Sequence, residues 1–151
     1  MAPIFEKITI IGIGLIGSSI AMATRRAALA TYICGCDVGP DIGERVSKLG
    51  LVDRFEADPA LAVAGADLVI MAVPVGAMAH LSAKIVPHMK KGAVLTDTGS
   101  TKRSVVRDVS PHVSDYIHWV PSHPLAGTEH SGPEAGVTDL FDGRYWLVLP
   151  L

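Results

Sequence analysis

The sequence predicts an α/β fold in which a parallel sheet carries helices on both faces. Three observations lead to it. Short β-branched, apolar runs alternate with longer stretches of helical pattern along the whole chain, as βαβ units require. The apolar runs are nearly continuous rather than alternating, LVIMAV at 68–73 being entirely apolar, which marks strands buried on both faces. The first run ends in a glycine-rich turn that opens a helix, the local geometry of a phosphate-binding crossover.

Taken in order, the first strand is KITIIG, Lys7–Gly12, and an Ala-rich helix free of proline follows over Leu15–Leu29. Tyr32–Asp37 is the second strand. Asp41–Leu49 is a helix stopped by Gly50, a residue suited to the left-handed position after a helix end. Asp58 and Pro59 open a short helix as N-cap and first helical residue. Leu68–Val73 is the third strand, Val75–Met89 a helix closed by Lys90-Lys91-Gly92, and Ala93–Asp97 the fourth strand. A helix from Ser100 or Thr101 to Val113 leads to a fifth strand, Ile117–Val120. A polar, Gly-rich loop spans Pro121–Gly136, and Tyr145–Leu149 is the expected sixth strand. The crossovers should be right-handed.

A chain of 151 residues fits one domain. Its 49% hydrophobic and 19% charged content excludes intrinsic disorder. The net charge of −2, with no cluster of Lys and Arg, excludes a nucleic-acid partner. The 60–79 stretch imitates a membrane span in composition, but Asp67 and Pro74 interrupt it, and no membrane association is expected. Cys34 and Cys36 are too close for an ordinary bridge and lack C-x-x-C spacing. They read as reduced core thiols, and with no signal pattern at the N-terminus a cytoplasmic location is expected. No histidine pair has ligand spacing with a carboxylate, so no metal is expected. The chain stops at Leu151 with no helix after the expected sixth strand, which suggests a fragment of a longer protein.

The turn after the first strand reads Gly12-Ile13-Gly14-Leu15-Ile16-Gly17. Gly12 serves the tight turn, Gly14 lets backbone approach a pyrophosphate, and Gly17 lets helix and strand pack closely. The helix N-terminus adds unpaired N–H groups and a positive dipole end. Asp37 ends the second strand 20 residues after Gly17, where an acid hydrogen-bonds the adenosine ribose 2′-OH and repels a 2′-phosphate. The fold is therefore Rossmann-like and the expected cofactor NAD rather than NADP. A flavin or S-adenosylmethionine site shares part of this pattern.

Reactive groups in such sheets lie at the carboxyl ends of strands. Val73 and Pro74 follow the third strand and form the apolar wall of the cofactor cleft. Asp97-Thr98-Gly99-Ser100-Thr101-Lys102 follows the fourth, with Asp97 capping the turn. Pro121-Ser122-His123-Pro124-Leu125-Ala126-Gly127-Thr128-Glu129 follows the fifth. His123 is the candidate catalytic base, since an imidazole with an ordinary pKa of ~6.5 accepts a proton at neutral pH. Ser100 is placed to orient the substrate hydroxyl or the imidazole. His80, His88 and His112 are assigned to solvated helix faces, His118 to the fifth strand, and His130 to the border of the site.

The order GIGLIGSS, Asp37, AVP, DTGSTK and SHPLAGTEHSG resembles the N-terminal nucleotide-binding domain of the prephenate/arogenate (cyclohexadienyl) dehydrogenases over essentially the whole chain. The resemblance implies NAD-dependent oxidative decarboxylation of prephenate to 4-hydroxyphenylpyruvate, or of arogenate to tyrosine, in tyrosine biosynthesis. It implies that His123 is the catalytic histidine, that Ser100 contacts the ring hydroxyl and the nicotinamide region, and that Thr128 and Glu129 belong to the loop beside the substrate. Members of the family carry a helical C-terminal domain that completes the substrate pocket and forms a homodimer, and that domain is absent here. The competing readings are a dehydrogenase of the β-hydroxyacid or imine-reductase type and a non-catalytic NAD-binding module.

Overall fold

The computed structural model describes residues 1–151. Strand β1 (Phe5–Ile11) leads through the glycine turn into helix α1 (Leu15–Arg26), and β2 (Ala30–Cys36) and α2 (Ile42–Leu49) follow. A two-residue strand β3 (Arg54–Phe55), a one-turn helix α3 (Pro59–Ala62) and β4 (Leu68–Met71) come next. Helix α4 (Met78–Ile85), β5 (Val94–Asp97), α5 (Lys102–Val109) and β6 (His118–Val120) complete the alternation. The main sheet is parallel throughout, in the order β3-β2-β1-β4-β5-β6.

Successive strand residues point to opposite faces, and the buried residues divide accordingly. Ile8, Ile10, Ile33 and Ile70 pack with Ile20 and Ala21 of α1 and Val46 of α2. Ile11, Cys34, Cys36, Val69, Met71 and Leu95 pack with Ala62, Met78, Ile85, Val105 and Val109 of α3–α5. Thr9, buried between the strands, donates its hydroxyl to the Ala62 carbonyl at 2.7 Å. On the α1 side, β4–β6 are left with an apolar groove of about 430 Å³ bordered by Phe141 and Trp146. Both cysteines are free and buried, and burial pushes the Cys36 thiol up to about 12.

Four expectations need correction. Residues 145–149 do not add a sixth parallel strand. Strand β8 (Trp146–Val148) instead pairs antiparallel with β7 (Ser122–Pro124), inside the stretch expected to be loop. The sixth main-sheet strand is β3, too short and too charged to register as an apolar run. Helix α1 ends at Arg26 rather than Leu29, because Ala28 turns left-handed (φ 52°) and the Leu29 N–H closes onto the Thr24 carbonyl. The long helices expected over Val75–Met89 and Thr101–Val113 become α4 and α5 with 3₁₀ turns at Val86–His88 and Ser110–His112. Pro87 and Pro111 lack the N–H that would continue the α ladder. Gly50 (φ 62°) and the Asp58 cap on the Ala60 N–H are as expected.

Residues 132–142 lie across α1 and α2. The Val137 N–H donates to Ser19 Oγ at 2.9 Å, and a Cβ at Gly136 would press on that of Ser18. Arg45 of α2 grips Glu134 with two hydrogen bonds, and Arg26 of α1 grips Asp142 likewise. The Arg45 guanidinium holds Glu134 well below the usual range, at about 2. Its contribution to stability is therefore present above the ordinary Glu range near 4.5 and is lost as pH falls toward about 2. Glu134→Gln should make the melting temperature fall less steeply than in the parent across that window. Identical slopes for both proteins would show that the grip does not form in solution.

Candidate active site

The glycines of the β1–α1 turn act for three different reasons. Gly12 is left-handed (φ 94°), its N–H donates to the Cys36 carbonyl at 2.8 Å, and a Cβ there would collide with the Ala72 carbonyl. At Gly17 a Cβ would run into the Gly12 carbonyl, so helix and turn could not approach as they do. At Gly14 an added Cβ would meet nothing within 4 Å, which leaves the backbone open for a ligand to come close. The first-turn N–H groups of α1, orphaned in any helix, receive no side-chain cap, and no acidic residue lies within that turn. This end of α1 has the geometry that favours an anion.

Asp37 sits at the end of β2. Its Oδ2 accepts the Ile13 N–H at 2.8 Å and its Oδ1 the Gly39 N–H at 2.9 Å. The carboxylate is thus locked to the glycine turn, with lone pairs left on both oxygens for hydroxyl donors. Beside it lies a cleft of about 250 Å³ whose lining includes Gly12, Asp37, Val38, Val73, His80, Leu81 and Lys84. It opens where β1 and β4 lead in opposite directions across the sheet, the switch point at which such folds take ligands. Val73 lines this cleft, and Pro74 is exposed and caps the 3₁₀ turn at Val75–Ala77. His80 lies on an exposed helix face, and that face is turned to the cleft.

The other strand ends gather around β5. Asp97 is fully buried and accepts the N–H groups of Gly99 (2.8 Å) and Ser122 (3.1 Å) together with the Lys102 ammonium. Its capping of the turn agrees with the sequence reading, while the pairing with Lys102 was not foreseen. Burial pushes the Lys102 pKa down, against the pull of Asp97. His123 is half-buried on β7, with Nδ1 3.2 Å from the Thr98 carbonyl. A carbonyl only accepts, so Nδ1 carries the proton and Nε2 of the neutral ring keeps its lone pair. Ser100 is exposed on the turn just past Thr98, so His123 and Ser100 come from segments joined at one point. Thr128 and Glu129 are exposed on the following loop, where Thr128 Oγ1 accepts the His130 N–H and Glu129 lies 3.4 Å from His130. None of the three is hydrogen-bonded to His123 or Ser100. No group of three or more His, Cys, Asp or Glu side chains is placed to hold a metal ion.

The family model for the nucleotide-binding domain of prephenate dehydrogenase matches residues 20–151. The chain belongs to the prephenate dehydrogenase family. The cyclohexadienyl dehydrogenase of Zymomonas mobilis is 41% identical over 147 residues, which cover 97% of this chain and 50% of that protein. Among solved structures, prephenate dehydrogenase from A. aeolicus in complex with hydroxyphenyl propionate and NAD+ superposes with a TM-score of 0.87 at 28% identity. That superposition covers 97% of this chain and 51% of the other. Synechocystis arogenate dehydrogenase gives a TM-score of 0.86 at 28% identity, over 96% and 50% of the two chains. The chain spans about half the length of each of these relatives. The glycine fingerprint precedes the residues matched by the family model, so the turn geometry supports nucleotide binding independently of that match.

The second and third glycines of this turn should respond differently to a methyl group. Gly17→Ala forces backbone apart and should lower the melting temperature by roughly 2–12 °C, from an overpacking cost of ~1–3 kcal/mol. Gly14→Ala should leave it nearly unchanged. Thermal melts of both variants check this, and equal losses would show that Gly14 is packed rather than open.

Proposed function

We propose that this chain is the cofactor-binding half of an NAD-dependent prephenate or arogenate dehydrogenase, acting in the cytoplasm in tyrosine biosynthesis. The observation that carries the reading is the placement of two features at the carboxyl edge of one sheet: an open glycine turn locked to Asp37, and a histidine whose Nδ1 is held by a backbone carbonyl so that Nε2 is left free. No helix is long and apolar enough to cross a membrane. A helical C-terminal domain, which the length of the relatives leaves room for, is proposed to complete the substrate pocket and to form a homodimer.

The residues present fit a dinucleotide. Gly12, Ile13, Gly14, Leu15, Ile16 and Gly17 would hold its pyrophosphate, Asp37 its adenosine ribose, and Val73 with Pro74 its apolar side. NAD, when bound, supplies the acceptor for the hydride that leaves the ring carbon bearing the hydroxyl. The chain's own contribution is to the proton and to orientation. His123 Nε2 accepts a hydrogen bond from the ring hydroxyl and takes its proton as the carbon–hydrogen bond breaks. The Thr98 carbonyl steadies the imidazolium that results, because Nδ1–H keeps its acceptor throughout. Ser100 fixes the direction of the hydroxyl. Loss of carbon dioxide then leaves its bonding pair in the ring, which becomes aromatic, and the phenolate oxygen that results takes the proton back from His123. Thr128 and Glu129 are assigned to the loop that borders the substrate.

The test is formation of NADH by the full-length gene product given NAD+ with prephenate, then with arogenate. Turnover with either one establishes the reaction class and tells the substrates apart. His123→Asn should lower the rate by roughly 10²–10⁴-fold while leaving NAD+ affinity unchanged, as loss of a general base would. Binding of NAD+ without turnover of either substrate would favour the non-catalytic module. An unaltered rate in His123→Asn would remove His123 from the mechanism.

A further inference from the structure

We infer that the buried Asp97–Lys102 pair is a positioning device for the base His123, acting through the backbone segments that carry His123 and Ser100. The inference rests on the reading of His123 as the base. Asp97 has no exposed surface, and the Lys102 side chain is 13% exposed, so the pair lies inside the domain. The carboxylate holds three donors at once: the Gly99 N–H at 2.8 Å, the Ser122 N–H at 3.1 Å and the Lys102 ammonium. The Asp97 carbonyl accepts a fourth bond, from Ser122 Oγ at 2.8 Å. One residue therefore ties the turn of Ser100 to the strand of His123.

The contact that orients the imidazole lies between these two attachments. The Thr98 carbonyl, which accepts from His123 Nδ1, belongs to the residue between Asp97 and Gly99, and the Thr98 N–H is itself fixed on the Met71 carbonyl at 3.1 Å. Releasing either attachment moves acceptor and ring independently. Asparagine cannot replace the carboxylate here. Its amide NH₂ would point at one of the two backbone N–H groups, and only one attachment would survive. Packing leaves little slack, since a Cβ at Gly99 would come within 2.8 Å of Val105. A buried ion pair is a poor device for stability alone, because apolar groups of similar volume often serve as well or better. The geometry it imposes on two loops is something apolar groups cannot supply.

The pair is tested by removing both charges together in the full-length protein, so that neither is left buried alone. Asp97→Asn/Lys102→Met should stay folded and bind NAD+ as the parent does. Its kcat should fall by roughly 10–100-fold with KM little changed, in line with the cost of a misplacement near 1 Å. A purely structural role would lower the melting temperature or the content of folded protein without this split. A folded double variant with kcat within about three-fold of the parent would overturn the inference. Should the double variant fail to fold, Asp97→Asn alone keeps an amide oxygen facing the Lys102 ammonium and releases only one of the two backbone N–H groups. A several-fold fall in kcat at constant KM then supports the inference, and an unchanged kcat overturns it. His123→Asn, measured alongside, separates the two readings. If it retains full activity, the base assignment fails. If it is inactive while the Asp97/Lys102 variant is not, only the positioning role fails.

Discussion

The distance between the end of β1 and the start of α1 is the constraint on which the rest of the domain depends. Gly17 lies so close to the Gly12 carbonyl that a single methyl group would not fit between them. That approach brings the first turn of α1 over the carboxyl edge of the sheet, with its N–H groups uncapped. It also places the Ile13 N–H within reach of Asp37, so that the acid at the end of β2 is held by the same turn it works with. The cleft beside them follows from topology. Strand order reverses direction between β1 and β4, and the crossovers leave to opposite faces, which opens a space no helix covers.

A second junction, at Asp97, does for the ends of β5 and β7 what the glycine turn does for those of β1 and β2: it holds them together. It is built differently. The first uses the absence of side chains to bring backbone close to a ligand, whereas the second uses a buried carboxylate to bring two backbone segments close to each other. The strap formed by residues 132–142 follows the loop of Thr128 and Glu129 and is held on α2 and α1 by two arginine–carboxylate grips. Hydrophobic packing sets the sheet, but the functional edge is set by polar contacts.

The same division explains what could be read from the sequence. Strands β1, β2 and β4 are legible because burial demands long, nearly continuous apolar runs, β5 and β6 because short apolar segments recur between helical patterns, and Gly12 and Gly17 because each has a steric reason to be glycine. Strand β3 is not legible, since two residues including Arg54 carry no periodic signal. The partner of β8 is not legible because apolarity at 145–149 carries no information on which strand it joins, and residues 145–148 stay exposed in the fold. Pairing with residues 122–124 is a long-range choice made by the hairpin's own hydrogen bonds and by Trp146 Nε1 donating to Ser122 Oγ. The Asp97–Lys102 pair escaped because a lysine in a first helical turn looks solvated until the fold buries it. His80 escaped because an exposed face and a cleft-lining face are the same face there.

The central claim is that the glycine turn and Asp37 together form a dinucleotide site that reads the adenosine ribose. Calorimetric titration of the chain with NAD+ and with NADP+, for the parent and for Asp37→Ala, tests it most directly. The expected result is tighter binding of NAD+ by the parent, by about ten-fold or more for one repelled phosphate, with the difference largely abolished in Asp37→Ala. Equal affinity of the parent for both cofactors, or a preference that survives the loss of Asp37, would contradict it.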